Sequence, residues 1–175
     1  MPRNIEIKAR LPEGMDDIRV RSAALATEPP AVLLQTDTFF NIPEGRLKLR
    51  EFADGSAELI FYERPDTEGP KASSYVRSPC PSSSSMLEAL TRALGVRGVV
   101  KKRRDLYIVD QTRVHLDEVE GLGSYLELEV VMRDEQSNQE GESIAHELLD
   151  SLGVRDDWLI SGAYIDLLGA DTARG

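Results

Sequence analysis

The sequence predicts a mainly β protein, an antiparallel barrel of about eight strands, closed or nearly closed, with helices packed outside. Three observations carry this. Eight segments alternate polar and apolar residues, turn-forming residues separate them, and only four stretches return apolar residues every three or four positions. The strands are expected at Asn4–Leu11, Leu34–Asn41, Arg46–Phe52, Ala57–Glu63, Ala72–Arg77, Val99–Val109, Thr112–Val119 and Ser124–Arg133. Asp54-Gly55 and Gly121-Leu122-Gly123 mark turns, and consecutive antiparallel pairing makes a meander the simplest topology. Helical spacing appears at Asp16–Ala26, at Ser84–Leu94 with Ser84 or Ser85 as cap, and at Gly141–Leu152. Asp156–Leu168, with Trp158, Tyr164 and Leu167, is expected to be a last helix against the sheet. Pro65–Pro70 and Arg133–Gly141 read as loops.

A chain of 175 residues fits one domain, taken as residues 1–170 with a tail at 171–175. No apolar run is long enough to cross a bilayer, so no membrane partner is expected. Met1-Pro2-Arg3-Asn4 leads directly into the first strand without a signal-like apolar region, which makes a cytoplasmic protein the expectation. Cys80, the single cysteine, lies in Ser78-Pro79-Cys80-Pro81 and excludes an internal disulfide or a cysteine-based zinc site. The net charge of −10 argues against a nucleic-acid partner but leaves room for a local basic cleft among the 21 Lys and Arg residues.

The charged faces are the functional signal. Arg46, Lys48 and Arg50 share one strand face opposite Leu47 and Leu49. Glu6, Lys8 and Arg10 lie opposite Ile5, Ile7 and Ala9; Glu127 and Glu129 lie opposite Leu126, Leu128 and Val130; His115 and Asp117 oppose Val114 and Leu116. A single such face reads as solvated, and a flat salt-bridged sheet remains an alternative to a barrel. If the apolar faces are covered by helices, the charged faces point into the curled sheet and form a polar tunnel. A basic lumen calls for an anion and a carboxylate cluster for a cation; a triphosphate with a divalent metal satisfies both.

Asn4-Ile5-Glu6-Ile7-Lys8 resembles the N-terminal Glu-x-Glu-x-Lys signature of the CYTH family, the triphosphate tunnel metalloenzymes. Further resemblances follow in the family's order. They are Gln35-Thr36-Asp37-Thr38-Phe39-Phe40, Arg46-Leu47-Lys48-Leu49-Arg50, and Lys101-Lys102-Arg103-Arg104 before Tyr107. The stretch from His115-Leu116-Asp117 to Glu127-Leu128-Glu129, and Tyr164-Ile165-Asp166-Leu167-Leu168, are most similar to the class IV adenylyl cyclase branch; thiamine triphosphatases are also relatives. The resemblance implies phosphate binding by Lys8, Arg10, Lys48, Arg50, Lys102 and Arg104. It implies Mg²⁺ or Mn²⁺ held by Glu6, Asp117, Glu127 and Glu129, and catalytic roles for Glu6, Lys8, Asp117 and Glu127.

Strand period alone does not decide between Lys101/Arg103 and Lys102/Arg104 as the inward pair; spacing to Tyr107 favours the latter. Arg64 and Lys71 read as exposed loop charges, and with only His146 besides His115 no histidine metal site is expected. Asn4 stands where the signature has its first Glu, supplying an amide oxygen without charge. The favoured activity is metal-dependent hydrolysis of inorganic triphosphate, or of an organic triphosphate such as ATP or thiamine triphosphate. The alternatives are class IV adenylyl cyclase activity, giving cyclic AMP and pyrophosphate, and a non-catalytic triphosphate- or polyphosphate-binding module. Either a monomer or a homodimer is compatible with the sequence.

Overall fold

The structure, a computed structural model, describes residues 2–65 and 69–174, with side chains through residue 169. The chain runs β1 (Arg3–Arg10), α1 (Asp16–Leu25), β2 (Ala31–Phe40), β3 (Arg46–Phe52), β4 (Ala57–Glu63) and β5 (Lys71–Pro79). It continues through α2 (Ser83–Leu94), β6 (Val96–Val109), β7 (Thr112–Val119), β8 (Gly123–Val131) and α3 (Asn138–Leu152). A 3₁₀ turn (Asp156–Trp158), β9 (Leu159–Ile160) and α4 (Tyr164–Arg174) complete it. Residues 66–68 of the expected loop at Pro65–Pro70 lie outside the described residues.

The strands pair antiparallel in the order β5-β4-β3-β2-β6-β7-β8-β1, and β1 pairs again with β5. The sheet therefore closes into an eight-stranded barrel. This is not the expected meander: β2–β5 and β6–β8 are each hairpin runs, joined side by side through β2 and β6. The two free edges left by that arrangement belong to β5 and β8. β1 inserts between them and satisfies both rows of backbone hydrogen-bonding groups, while β9 pairs with Lys8 and Ala9 where β5 has peeled away.

Helix boundaries follow local chemistry. Ser137 and Glu140 form a reciprocal capping box, so α3 starts at Asn138 and shortens the loop expected over Arg133–Gly141. Ser82 occupies the N-cap position of α2, leaving Ser84 and Ser85 inside the helix. The continuous helix expected over Asp156–Leu168 is broken, because Gly162 adopts φ 82°, outside the right-handed helical region. α4 begins after it and its backbone continues through residues 171–174.

Apolar strand faces point outward beneath the helices. Ile5, Ile7, Leu126 and Leu128 pack with Ala145, Leu148, Leu149 and Leu152 of α3, and Ile18 of α1 joins them. Phe40, Leu49, Ala57 and the buried Cys80 pack with Met86, Leu87 and Leu90 of α2. Inside the barrel, Phe39, Val100, Val119 and Tyr125 meet Ala163, Tyr164 and Ile165, so the start of α4 forms an apolar plug beside the charged lumen. No helix among the described residues is long and apolar enough to cross a membrane.

Close approach of α3 to β1 depends on Gly141. A Cβ there would lie 2.6 Å from Ile5 Cγ1 and 2.5 Å from Met132 Sδ. Gly→Ala within a helix ordinarily stabilises by about 0.5–1 kcal/mol. Here Gly141→Ala should instead destabilise by about 1–3 kcal/mol, the range for overpacking. Urea unfolding measures the sign, and a stabilised variant would contradict this packing.

Candidate functional site

Because Ile5, Ile7 and Ala9 are buried against the outer layer, β1 turns Asn4, Glu6 and Lys8 inward. The same alternation sends Lys48 and Arg50 inward from β3, and Glu127 and Glu129 from β8. β6 turns Lys102 and Arg104 into the lumen and leaves Lys101 and Arg103 exposed. The lumen holds about 650 Å³ of atom-free space up to and including its mouth. About 70 Å³ of it admits the centre of a water molecule, since the long side chains reach across to one another.

One group of charges centres on Asp37, which is 1% exposed. Arg50 donates two hydrogen bonds of 2.8 Å to its carboxylate, and Lys48 and Lys102 each approach Oδ2 at 3.1 Å. Burial opposes ionisation of Asp37, but Arg50, Lys102 and Lys48 hold its carboxyl well below the usual range. Burial lowers Lys102 to about 8, with Arg50 and Arg104 contributing and Asp37 resisting. Burial and Arg50 likewise push Lys48 well below its ordinary value. Three basic side chains thus converge on one buried carboxylate, a counter-ion that is part of the chain.

A second group centres on Asp117. Arg104 donates two hydrogen bonds of 2.8 Å to Asp117, and the Tyr164 hydroxyl donates another of 2.8 Å to Asp117 Oδ2. Burial would raise Asp117, yet Arg104 brings it to about 2. Lys8 Nζ lies 3.9 Å from the centroid of the Tyr164 ring, a cation–π contact.

The third group is acidic. Glu6, Glu127 and Glu129 converge from β1 and β8, with Glu6 opposite Glu129 in register. Lys8 Nζ is 3.4 Å from Glu127 Oε2, and Arg64 donates at 3.3 Å to Glu6 Oε2. Asn4 Nδ2 donates at 3.3 Å to Glu129 Oε2, while Asn4 Oδ1 is buried without a hydrogen-bond partner. Ligand atoms of His115, Glu127 and Glu129 all lie within 4.8 Å of one another. Burial raises Glu6 to about 7, and Glu127 and Glu129 add to the effect; burial and Glu127 also raise Glu129. Burial would raise Glu127 too, but Lys8 and Arg104 keep it well below the usual range. Clustered carboxylates with an unpartnered amide oxygen make a donor set that fits a hard divalent cation.

The profile of the CYTH domain matches residues 2–164. The chain belongs to the CYTH family. Adenylate cyclase CyaB of Aeromonas hydrophila is 27% identical over 172 residues, spanning 91% of this chain and 85% of its own. The structure of the PH1012 protein of Pyrococcus horikoshii OT3 superposes with a TM-score of 0.83 at 26% identity, covering 94% of this chain and 98% of that one. HpAC1 of Hippeastrum, whose dominant activity is that of a triphosphatase, superposes with a TM-score of 0.68 at 14% identity, covering 98% of this chain and 96% of that one. That last likeness is one of fold.

Within this CYTH lumen, four residues sit differently from expectation. Arg10 shares the strand phase of Lys8 but is exposed beyond the plug, where it donates to the Tyr125 hydroxyl at 3.2 Å. Asp117 has both oxygens engaged by Arg104 and Tyr164, which leaves it poorly placed as a metal ligand. Arg64 and Lys71 are not exposed loop charges: Arg64 is clamped between Glu6 and the Gly162 carbonyl, and Lys71 is buried opposite Glu6 in register. Asp37 and Tyr164 were not singled out by strand pattern. Both lie in stretches that resemble the family, Asp37 as a lone acid on the strand phase of Gln35 and Phe39 and Tyr164 at the head of Tyr164–Leu168; the bond from Tyr164 to Asp117 is a tertiary contact that strand pattern does not report.

Glu6 sets a pH dependence. Its folded value of about 7 exceeds the ordinary 4.5, so between these values the folded state keeps a proton that the unfolded chain releases. Glu6 therefore destabilises the metal-free protein increasingly as pH rises through this window. In chelator, Glu6→Gln should gain stability relative to wild type by on the order of 1–3 kcal/mol more at pH 8 than at pH 5. Denaturant unfolding at both pH values measures it, and a difference independent of pH would contradict the repulsive cluster.

Proposed function

We propose that this CYTH protein hydrolyses a triphosphate inside the lumen with Mg²⁺ or Mn²⁺ held by Glu6, Glu127 and Glu129. The observation that carries the reading is the placement of the cations around Asp37 and the acidic cluster in one buried cavity. Lys8, Lys48, Arg50, Arg64, Arg77, Lys102 and Arg104 outnumber Glu6, Asp37, Glu127 and Glu129 along its lining. An anionic ligand would relieve that excess, and phosphate oxygens accept the hydrogen bonds that Arg and Lys donate. The substrate is inorganic triphosphate or an organic triphosphate such as ATP or thiamine triphosphate, met in the cytoplasm by a monomer or homodimer.

In this reading Lys48, Arg50 and Lys102 turn from Asp37 toward the phosphoryl oxygens. Arg104 needs no reorganisation, because Asp117, itself held by the Tyr164 hydroxyl, already fixes its guanidinium. Lys8, between Glu127 and the Tyr164 ring, offsets charge that develops on a bridging oxygen as the P–O bond breaks. A bound divalent ion would neutralise phosphate charge and lower the pKa of a coordinated water.

The identity to CyaB across most of the chain favours a second reading. In it the ribose 3′-hydroxyl of ATP replaces water and attacks the α-phosphate, releasing pyrophosphate and cyclic AMP. Asn4, without the charge of a carboxylate, motivates a third, a module that binds without turnover. Incubation with ATP, thiamine triphosphate and inorganic triphosphate, each with Mg²⁺ or Mn²⁺, and ion-exchange analysis of products separates them. Orthophosphate release is expected; cyclic AMP would establish the second reading, and binding without products the third. Arg50→Ala should weaken triphosphate affinity by about 1.5–3 kcal/mol, the range for hydrogen bonds to charged groups. Glu127→Gln should abolish turnover while keeping most of that affinity, and wild-type rates in this variant would remove the metal assignment.

A further inference from the structure

His115 stands on β7 directly opposite Glu127 of β8 and is 4% exposed. Its Nδ1 is buried and makes no hydrogen bond; it lies 3.5 Å from Glu129 Oε1 without the geometry of one. A histidine that merely filled the lumen would be expected to satisfy this nitrogen, since an unpaired buried polar atom is costly. Ligand atoms of His115, Glu127 and Glu129 lie within 4.8 Å of one another. Ligands bound to one small cation at about 2.0–2.2 Å can be at most about 4.4 Å apart, so closure takes side-chain shifts of a few tenths of an ångström.

The surroundings leave the imidazole available as a donor. Arg104 is committed to Asp117, and Arg113 approaches Glu129 at 3.7 Å from its own side. Asn4 turns its amide nitrogen to Glu129, keeps its Oδ1 buried without a partner, and brings no negative charge.

We propose that His115 joins Glu127 and Glu129 as a nitrogen ligand, making a mixed nitrogen and oxygen site that selects transition-metal cations such as Mn²⁺ and Co²⁺ over Mg²⁺. The inference rests on the metal-binding part of the proposed function and adds the nitrogen ligand and the class of ion. Mg²⁺ favours all-oxygen octahedra and gives up its waters reluctantly, whereas imidazole nitrogen binds first-row ions with affinity rising from Mn²⁺ toward Co²⁺ and Ni²⁺. A carboxylate replaced by an amide at position 4 weakens the purely electrostatic hold on Mg²⁺. The nitrogen then decides which cation stays.

The test uses the full chain stripped of metal by chelation. Pulsed electron paramagnetic resonance on the Mn²⁺-loaded protein should show coupling to a directly bound ¹⁴N, lost in His115→Ala. Calorimetric titration with Co²⁺ and Mg²⁺ should show His115→Ala losing Co²⁺ affinity by about tenfold or more while Mg²⁺ affinity changes far less. The wild-type nitrogen coupling decides the matter even where the variant fails to fold. Mn²⁺ binding that is lost in Glu127→Gln but shows no nitrogen coupling in wild type would overturn the role of His115 while leaving the carboxylate metal site intact. Equal losses of Co²⁺ and Mg²⁺ affinity in His115→Ala would also overturn it.

Discussion

Ionised side chains enclosed in a barrel must be neutralised by one another, and the rest of this structure depends on that constraint. Taking a carboxylate or ammonium out of water costs several kcal/mol, offset only by close, well-oriented partners. Asp37 meets this with Arg50, Lys48 and Lys102, and Asp117 with Arg104 and Tyr164. Glu127 has Lys8. The acidic cluster is less completely compensated, and there Glu6 and Glu129 are raised rather than lowered. A polar interior also obliges the strands to present their apolar residues outward. Helices α1, α2 and α3 are then required as cover, and the barrel is built inside out relative to a sheet folded around an oily core.

Much of this was legible because period-two alternation reports faces directly. The pairs Lys48/Arg50 and Glu127/Glu129 could be assigned a common side from Leu47/Leu49 and Leu126/Leu128 without knowing any neighbour. Alternation does not report which strands meet. The insertion of β1 between β5 and β8 joins residues far apart in sequence, and only the need to satisfy two open edges selects it. Ser137 and Glu140 carry a local signal in the sequence: a capping box at the boundary of a polar stretch marks a helix start better than apolar spacing does.

The site was harder to read at its ends. Arg10 keeps the phase of Glu6 and Lys8, yet one residue pair further along the strand lies past the plug formed by Tyr125 and Tyr164. Arg64 follows the last residue of β4, where alternation no longer applies, and its burial comes from Glu6 and the Gly162 carbonyl. On β2 the inward residues Gln35, Asp37 and Phe39 mix polar and apolar types, so no clean face announces Asp37. Lys101 and Lys102 are chemically identical neighbours, and only the barrel separates the exposed one from the buried one. Asp117 shows why a shared face is not a shared role, since its partner across the strand pair is Arg104 rather than another acid.

The central claim is that the lumen exchanges its internal counter-ion for a triphosphate held against the acidic cluster. Crystal diffraction from the protein soaked with inorganic triphosphate and Mn²⁺, with anomalous scattering to locate manganese, tests it most directly. Phosphate density is expected among Lys48, Arg50, Lys102 and Arg104, with the two lysines drawn away from Asp37 and an anomalous peak beside Glu127 and Glu129. Triphosphate bound only on the outer surface, with Asp37 still holding all three cations and no manganese in the lumen, would contradict it.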